Sequence, residues 1–427
     1  MNQATYFVNI RTFSSFILLI CLLFFIRCKD GEEYEKQVKA LMSQPEIVKA
    51  FEYIDHNADS ILSEWIEITE INAPSGREGK RAAFIEKLLD KYRLDEVYYD
   101  SAGNLIAVRK GTGGSPVVII DAHLDTVFQD GLNIKAKIQD GKIYAPGIGD
   151  NARNIEAILA TIRALNYGKI ETKGDLVFVF TIEEETSLRG AEEFIRENKG
   201  RIDYYIALDG GYEGFTYGGI GIKWHKYSVI GPGGHTFSPN PPYSATLPLA
   251  RAVNRIYELP LPKNATTRLN VGMVGGARVV NAKADEAWFT VDLRSTSNEI
   301  IAELDKEIAG IVKEESEREK MTFKSEVILS RPAARIPGHR ESRLVKTAEA
   351  IHNYMGLRGP ITVSGSNNSI AALLAGIPAI STGTAPCGKG HSLDEWCEIE
   401  PFYKGIKKVL LLEVALAQLV SSNSGIQ

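Results

Sequence analysis

An α/β fold with a mostly parallel central sheet, interrupted by a smaller α+β domain, is what the sequence predicts. Three observations carry this expectation. Apolar strand runs alternate with amphipathic helices up to about residue 217, the texture changes to longer strands from about Gly218, and the first texture resumes near Arg335. Strands that read as unbroken apolar runs and alternate with helices belong to sheets covered on both faces.

The elements follow in order. "MNQATYFVNIRTFSS" lacks acids and carries Arg11, and "FILLICLLFFI" (Phe16 to Ile26) is too short to span a bilayer comfortably. Together they predict an export leader over residues 1–28, with Cys28 a candidate lipidation site and an uncleaved anchor the alternative, since Arg27 suits cleavage poorly. Residues 29 to about 60 are charged and helix-like. "SILSEWIEITEINAPSGREGKRAAFIEKLLDKY" predicts a helix, a turn at Pro74 to Gly76 and a second amphipathic helix. "EVYYDSAGNLIAVRKG" predicts two strands joined at Ala102-Gly103-Asn104. The β-branched run Val117 to Ile120 predicts a buried strand that runs into "DAHLDTVFQD". "NIEAILATIRALN" predicts a helix, and "DLVFVFTIEEE" and "DYYIALDGG" predict two more buried strands, each ending in acids. In open sheets of this kind, ligands sit beyond the carboxyl ends of the strands.

From Gly218 onward, "GIKWHKYSVIGPGGHTFSP", "TRLNVGMVGGARVVNAKADEAWFTVDLRS" and "MTFKSEVILS" predict a second sheet. "LPLARAVNRIYEL" and "NEIIAELDKEIAGIVKEESEREK" supply its helices. "ESRLVKTAEAIHNYM" returns to the first texture, and a closing helix covers roughly Pro401 to Leu419. "KVLLLEVALAQLV" within it predicts core, because Glu413 interrupts the apolar run.

Bulk properties narrow the function classes. The 427 residues suit one large or two ordinary domains plus a leader. A net charge of −5 without a long basic patch argues against nucleic acid as a partner. Cys21 and Cys28 lie in the leader, which leaves Cys387 and Cys397 to pair or to stay free, and excludes a four-cysteine zinc site.

Five potential metal ligands fall at strand ends or in the following loops: His123, Asp150, Glu185, Asp209 and His391. Imidazole with carboxylate suits zinc, or manganese or cobalt. Five ligands exceed one tetrahedral site, so two metals sharing a carboxylate are expected, about 3.5–4 Å apart. Glu184, beside a ligand, is the candidate general base. Asp125 shares a strand face with His123 and is expected to hold it from behind. His56, His225, His339 and His352 belong to no motif and are expected in solvated or core positions. Glu183 reads as a solvated or hydrogen-bonded neighbour, and "NATT" at Asn264 as an unused glycosylation pattern.

In order, "HLDTV", "GIGDNAR", "FTIEEETSLRGA", "ALDGG" and "GHSLDEW" resemble the successive motifs of the M20 metallopeptidases, nearest the peptidase T-like branch, over roughly residues 60 to 420. The resemblance implies a two-zinc catalytic domain (45–217 and 333–421) and an inserted lid and dimerisation domain (218–332). It implies amide hydrolysis of short peptides or N-acyl amino acids, with Asp150 bridging the metals. His123 and Asp209 would complete one metal, Glu185 and His391 the other. It further implies that His235 reaches the partner subunit's site in a homodimer, and that Asn281 and Arg294 contact substrate. Departures are Asn151 for an acid, Asn154 for a glycine, Thr186-Ser187 for an apolar residue and glycine, and "GSNNS" where Asn368 replaces a carboxylate. They bear on specificity. The expected protein is an exported dimeric aminopeptidase on di- or tripeptides, with the membrane reached only through the leader or its lipid. The alternatives are a carboxypeptidase or N-acyl amino acid deacylase, or a catalytically silent binding protein, disfavoured because Glu184 and all five ligands are present.

Overall fold

A computed structural model describes residues 31–420, so the predicted leader and Cys28 lie outside the described residues. The chain forms two compact units. The first comprises the chain up to Phe215, Gly338–Pro360 and the segment from Thr382; the second comprises Thr216–Pro337 and Ile361–Ser381.

Helices α1 (residues 31–42), α2 (Pro45–His56), α3 (Ala58–Glu70) and α4 (Gly79–Leu89) open the first unit. Pro45 begins α2, where a missing N–H has no partner to lose. Strands β1 (Glu96–Tyr99) and β2 (Leu105–Arg109) form the expected hairpin. Its turn is built by Asp100, whose Oδ1 accepts the N–H groups of Ala102, Gly103 and Asn104 at 3.0, 3.0 and 2.9 Å. Next come β3 (Val118–His123), the short hairpin β4 (Lys137–Gln139) and β5 (Lys142–Tyr144), and α5 (Arg153–Tyr167). After them follow β6 (Leu176–Thr181), α6 (Glu184–Ser187), α7 (Arg189–Asn198), β7 (Tyr204–Ala207) and β8 (Phe215–Thr216).

The second unit holds β9 (Gly221–Ile230), β10 (Gly234–His235), α8 (Thr246–Tyr257), β11 (Thr267–Gly276), β12 (Ala282–Lys283), β13 (Glu286–Ser295), α9 (Asn298–Arg318) and β14 (Thr322–Arg331). The chain then makes α10 (Arg343–Tyr354) in the first unit, and β15 (Ile361–Thr362), α11 (Ser369–Leu374) and β16 (Ala379–Ser381) in the second. It closes in the first unit with β17 (Cys387–Gly388), β18 (Trp396–Glu398) and α12 (Glu400–Ala417). Unit two thus takes in Ile361–Ser381, a stretch the sequence groups with the catalytic part.

In the first unit the strands lie in the order β1-β2-β6-β3-β7. The centre is parallel, β6 with β3 and β3 with β7, while the β1–β2 hairpin joins antiparallel. All six residues of β3 are buried, which is why its sequence is an apolar run rather than an alternation. Every residue of α5 from Arg153 to Leu165 is buried as well. A second small sheet, β17-β18-β5-β4, carries the Cys387–Cys397 disulfide across adjacent strands, so the two cysteines pair. Among the described residues no helix is long and apolar enough to cross a membrane.

The second unit is built on the antiparallel sheet β11-β13-β9-β14. Tyr227, Phe289, Val291 and Leu293 from its strands pack with Leu249 of α8 and Leu304 and Ile308 of α9. His225 joins a core network, with Nδ1 2.8 Å from Asp305 Oδ1 and the Tyr227 hydroxyl 2.9 Å from the same oxygen.

Candidate metal centre

The carboxyl ends of the parallel strands gather the chemistry. His123 is the last residue of β3, Glu184 and Glu185 open α6 just beyond β6, and Asp209 follows β7. Asp150 sits in a kinked turn, Ile148–Ala152, ahead of α5, with non-helical backbone angles (φ -120°, ψ 89°). Trp65 of α3 anchors this turn, its indole N–H donating to Ile148 O at 2.9 Å, and the Asp150–Asn151 peptide bond is cis. His391 lies between the two half-cystines, in a left-handed backbone conformation (φ 61°) that non-glycine residues adopt sparingly.

The side chains converge. His123 Nε2 is 2.9 Å from Asp150 Oδ1, and His391 Nε2 is 3.0 Å from Asp150 Oδ2. His391 Nε2 is also 3.3 Å from Glu185 Oε2. His123, Asp150 and Glu185 each offer a ligand atom within 4.8 Å of the others. Asp209 is half-buried, close enough for the charges of Asp150, His123 and Arg153 to act on it. Asp125 supports the group from beneath: its Oδ1 accepts the Glu184 N–H (3.0 Å), and its Oδ2 accepts the Glu185 N–H (3.2 Å) and the Ser75 hydroxyl (2.6 Å). His123 Nδ1 faces Asp125 too, 3.1 Å from its carbonyl oxygen.

Electrostatics follow from the crowding. Burial raises the Glu184 carboxyl well above its ordinary value, and Asp209, Glu185 and Asp150 add to this against the pull of His123. Burial and the Asp150 charge push Asp209 up to about 7. The hydrogen bonds to Asp150 and Glu185 push His391 up to about 10, and those from both imidazoles hold Asp150 low despite its burial. Glu185 Oε1 is buried without a hydrogen-bond partner. Carboxylates crowded in this way need positive charge, and the donor set of imidazoles and carboxylates fits divalent cations.

The residues expected to meet substrate lie in the second unit. His235 and Asn281 are neighbours, since β10 pairs with β12 and the Thr236 N–H donates to Asn281 O at 3.1 Å. Arg294, on β13, turns its Nε to Asp292 at 3.0 Å.

Sequence reasoning passed over several supports. Glu395 accepts three backbone N–H groups of the Asp150 turn, and Ser75 holds Asp125. Arg153 donates to Gly210 O at 2.6 Å, and the buried Lys408 ammonium donates to Tyr212 O, Thr382 Oγ1 and Gly383 O at 2.8, 2.8 and 2.7 Å, bracing the loop after Asp209. Lys408 lies in an apolar helix pattern that shows no site. Glu395 stands inside "GHSLDEW", the one available pointer.

A parallel-centred α/β unit that brings imidazoles and carboxylates together at its strand ends defines a metallohydrolase. The model of peptidase family M20/M25/M40 matches residues 119–412, and the chain belongs to that family. It is 26% identical to Carboxypeptidase G2 of Pseudomonas sp. (strain RS-16) over 339 residues, 74% of this chain and 79% of that protein. A tripeptidase structure from Staphylococcus aureus superposes with a TM-score of 0.76 at 23% identity, covering 85% of this chain and 99% of the other. The aminopeptidase PepT of Bacillus cereus ATCC 10987 superposes with a TM-score of 0.73 at 21% identity, covering 85% and 99%.

Proposed function

We propose that the chain is a two-metal amide hydrolase of short peptides, acting as an aminopeptidase on di- or tripeptides. Asp150 carries the reading: its two oxygens face two different imidazoles, the disposition a carboxylate bridging two cations requires. His123 and Asp209 then complete one metal position, Glu185 and His391 the other, with two zinc ions per subunit or manganese or cobalt in their place. When bound, the metals supply a polarising charge for the scissile carbonyl and lower the pKa of a water.

Glu184 takes the proton of the attacking water and delivers it to the leaving amine. Its backbone is fixed by Asp125, and among the described residues its carboxylate, unlike that of Glu183 on Arg189, is hydrogen-bonded to no Lys or Arg. Asp125 also orients His123. His235 supplies an oxyanion donor to the partner subunit of a homodimer, Asn281 and Arg294 contact substrate, and the leader exports the protein to the periplasm or envelope. A second reading, carboxypeptidase or N-acyl amino acid deacylase, is favoured by the kinship with Carboxypeptidase G2.

A screen of short peptides with free or acylated N-termini, each with zinc, manganese and cobalt, separates the two. Free-amine substrates alone should turn over; activity confined to acylated ones would sink the aminopeptidase reading. Glu184→Gln should slow turnover by about 10²–10⁴-fold and keep the wild-type metal content. Glu185→Gln should lose metal.

A further inference from the structure

We infer that Glu395 is a positioning residue which locks the Asp150 turn and the His391 loop into one rigid cradle; this rests on both being metal ligands. The residue is 1% exposed. Oε2 accepts the Gly147 N–H at 2.8 Å, while Oε1 accepts those of Gly149 and Asp150 at 2.9 and 2.8 Å. Backbone N–H groups of one turn converging on one anion form a fixed concavity, and here the anion is the protein's own side chain. The turn is shaped for it. Gly147 adopts φ 76°, and a Cβ at Gly149 would come within 2.8 Å of both Glu395 Oε1 and Cys397 Sγ.

The same residue ends the His391 loop. Its N–H donates to Ser392 O at 3.2 Å, and its carbonyl accepts the Ala145 N–H at 3.1 Å. Glu395 therefore holds the backbone of Asp150 directly and that of His391 through a short tether. Both oxygens are used by donors, so a neutral amide cannot replace it: one of its two ends would present N–H to N–H.

Glu395→Gln and Glu395→Asp test this on the full chain. Zinc affinity is read by competition with a chromophoric chelator, and amide hydrogen exchange is read on metal-stripped protein. The Gln variant should bind zinc about 10–100-fold more weakly, with faster exchange confined to 147–152 and 388–395. The Asp variant keeps the charge but withdraws it by one methylene, and should weaken zinc roughly 10-fold; it carries the comparison if the Gln variant does not fold. A folded variant with zinc affinity within twofold of wild type would overturn the proposal. So would a uniform rise in exchange across the unit, the mark of a merely structural role. If wild type itself binds none of zinc, manganese and cobalt, the metal-centre reading fails instead.

Discussion

Asn151 and Asn154 both depart from the motif their segment resembles, and in the structure they answer one another. Asn154 Nδ2 donates to Asn151 Oδ1, Asn151 Nδ2 donates to Leu208 O at 2.9 Å, and the Thr384 hydroxyl donates to Asn154 Oδ1 at 2.7 Å. The chain of bonds ends on the residue preceding Asp209, so a pair of neutral amides does the bracing. Asn154→Ala strips a partner from two buried groups at once. It should lower the unfolding free energy by about 1–3 kcal/mol, measured by urea titration. His352 shows the opposite economy, an ionisable group kept neutral. Burial first, then the Lys408 charge, lowers it to about 3. Between that value and the ordinary histidine range near pH 6.5 the unfolded chain takes up a proton that the folded chain refuses. Its stability is full above about pH 6.5 and is lost as pH falls towards 3. His352→Gln should remove this component, so the stability gap between variant and wild type should change by up to about 1.4 kcal/mol per pH unit across that window. A gap that stays constant with pH would refute it.

At the scale of elements, the small sheet β17-β18-β5-β4 deserves its own test because the disulfide closes the loop that carries His391. Replacing both Cys387 and Cys397 by serine should lower stability by about 2–4 kcal/mol and weaken zinc binding, read by thermal unfolding with and without metal. The buried strands of the first unit and its long helices were legible in the sequence, since apolar runs and helical spacing are strong local patterns. So were His123, Glu184, Glu185 and Asp209, because each follows or ends a strand that runs out of apolar character, whereas Asp150 and His391 lie in turns and loops where only the motif marks them. The four strands of the small sheet were not: with two or three residues each, they leave no periodicity to read. Helix α11 escaped for the same reason, and the pairing of Cys387 with Cys397 stayed open because it depends on the register of two such strands. Glu395 was invisible in its role because its partners are backbone groups about 245 positions away, and backbone leaves no trace in a residue pattern.

For the whole molecule, the proposal that His235 acts on the partner subunit has a direct consequence. A heterodimer of wild type with the Glu184→Gln/His235→Ala double mutant would contain no site with both groups native. It should be nearly inactive, whereas half-normal activity per heterodimer would show that His235 serves its own chain. The distribution of the centre along the chain also sets a schedule. Asp150 and His391 meet at 3.0 Å across 241 positions of sequence. At about 5–20 residues per second, a ribosome needs roughly 12–50 s between making one and making the other. From the synthesis of Asp209 until that of His391, the nascent chain carries His123, Asp150, Glu184, Glu185 and Asp209 without the second imidazole or the Glu395 carboxylate. The second unit's sheet is synthesised meanwhile. The centre is therefore among the last features the growing polypeptide can complete, and until His391 and Glu395 emerge the Asp150 turn has neither its second imidazole nor its backbone clasp.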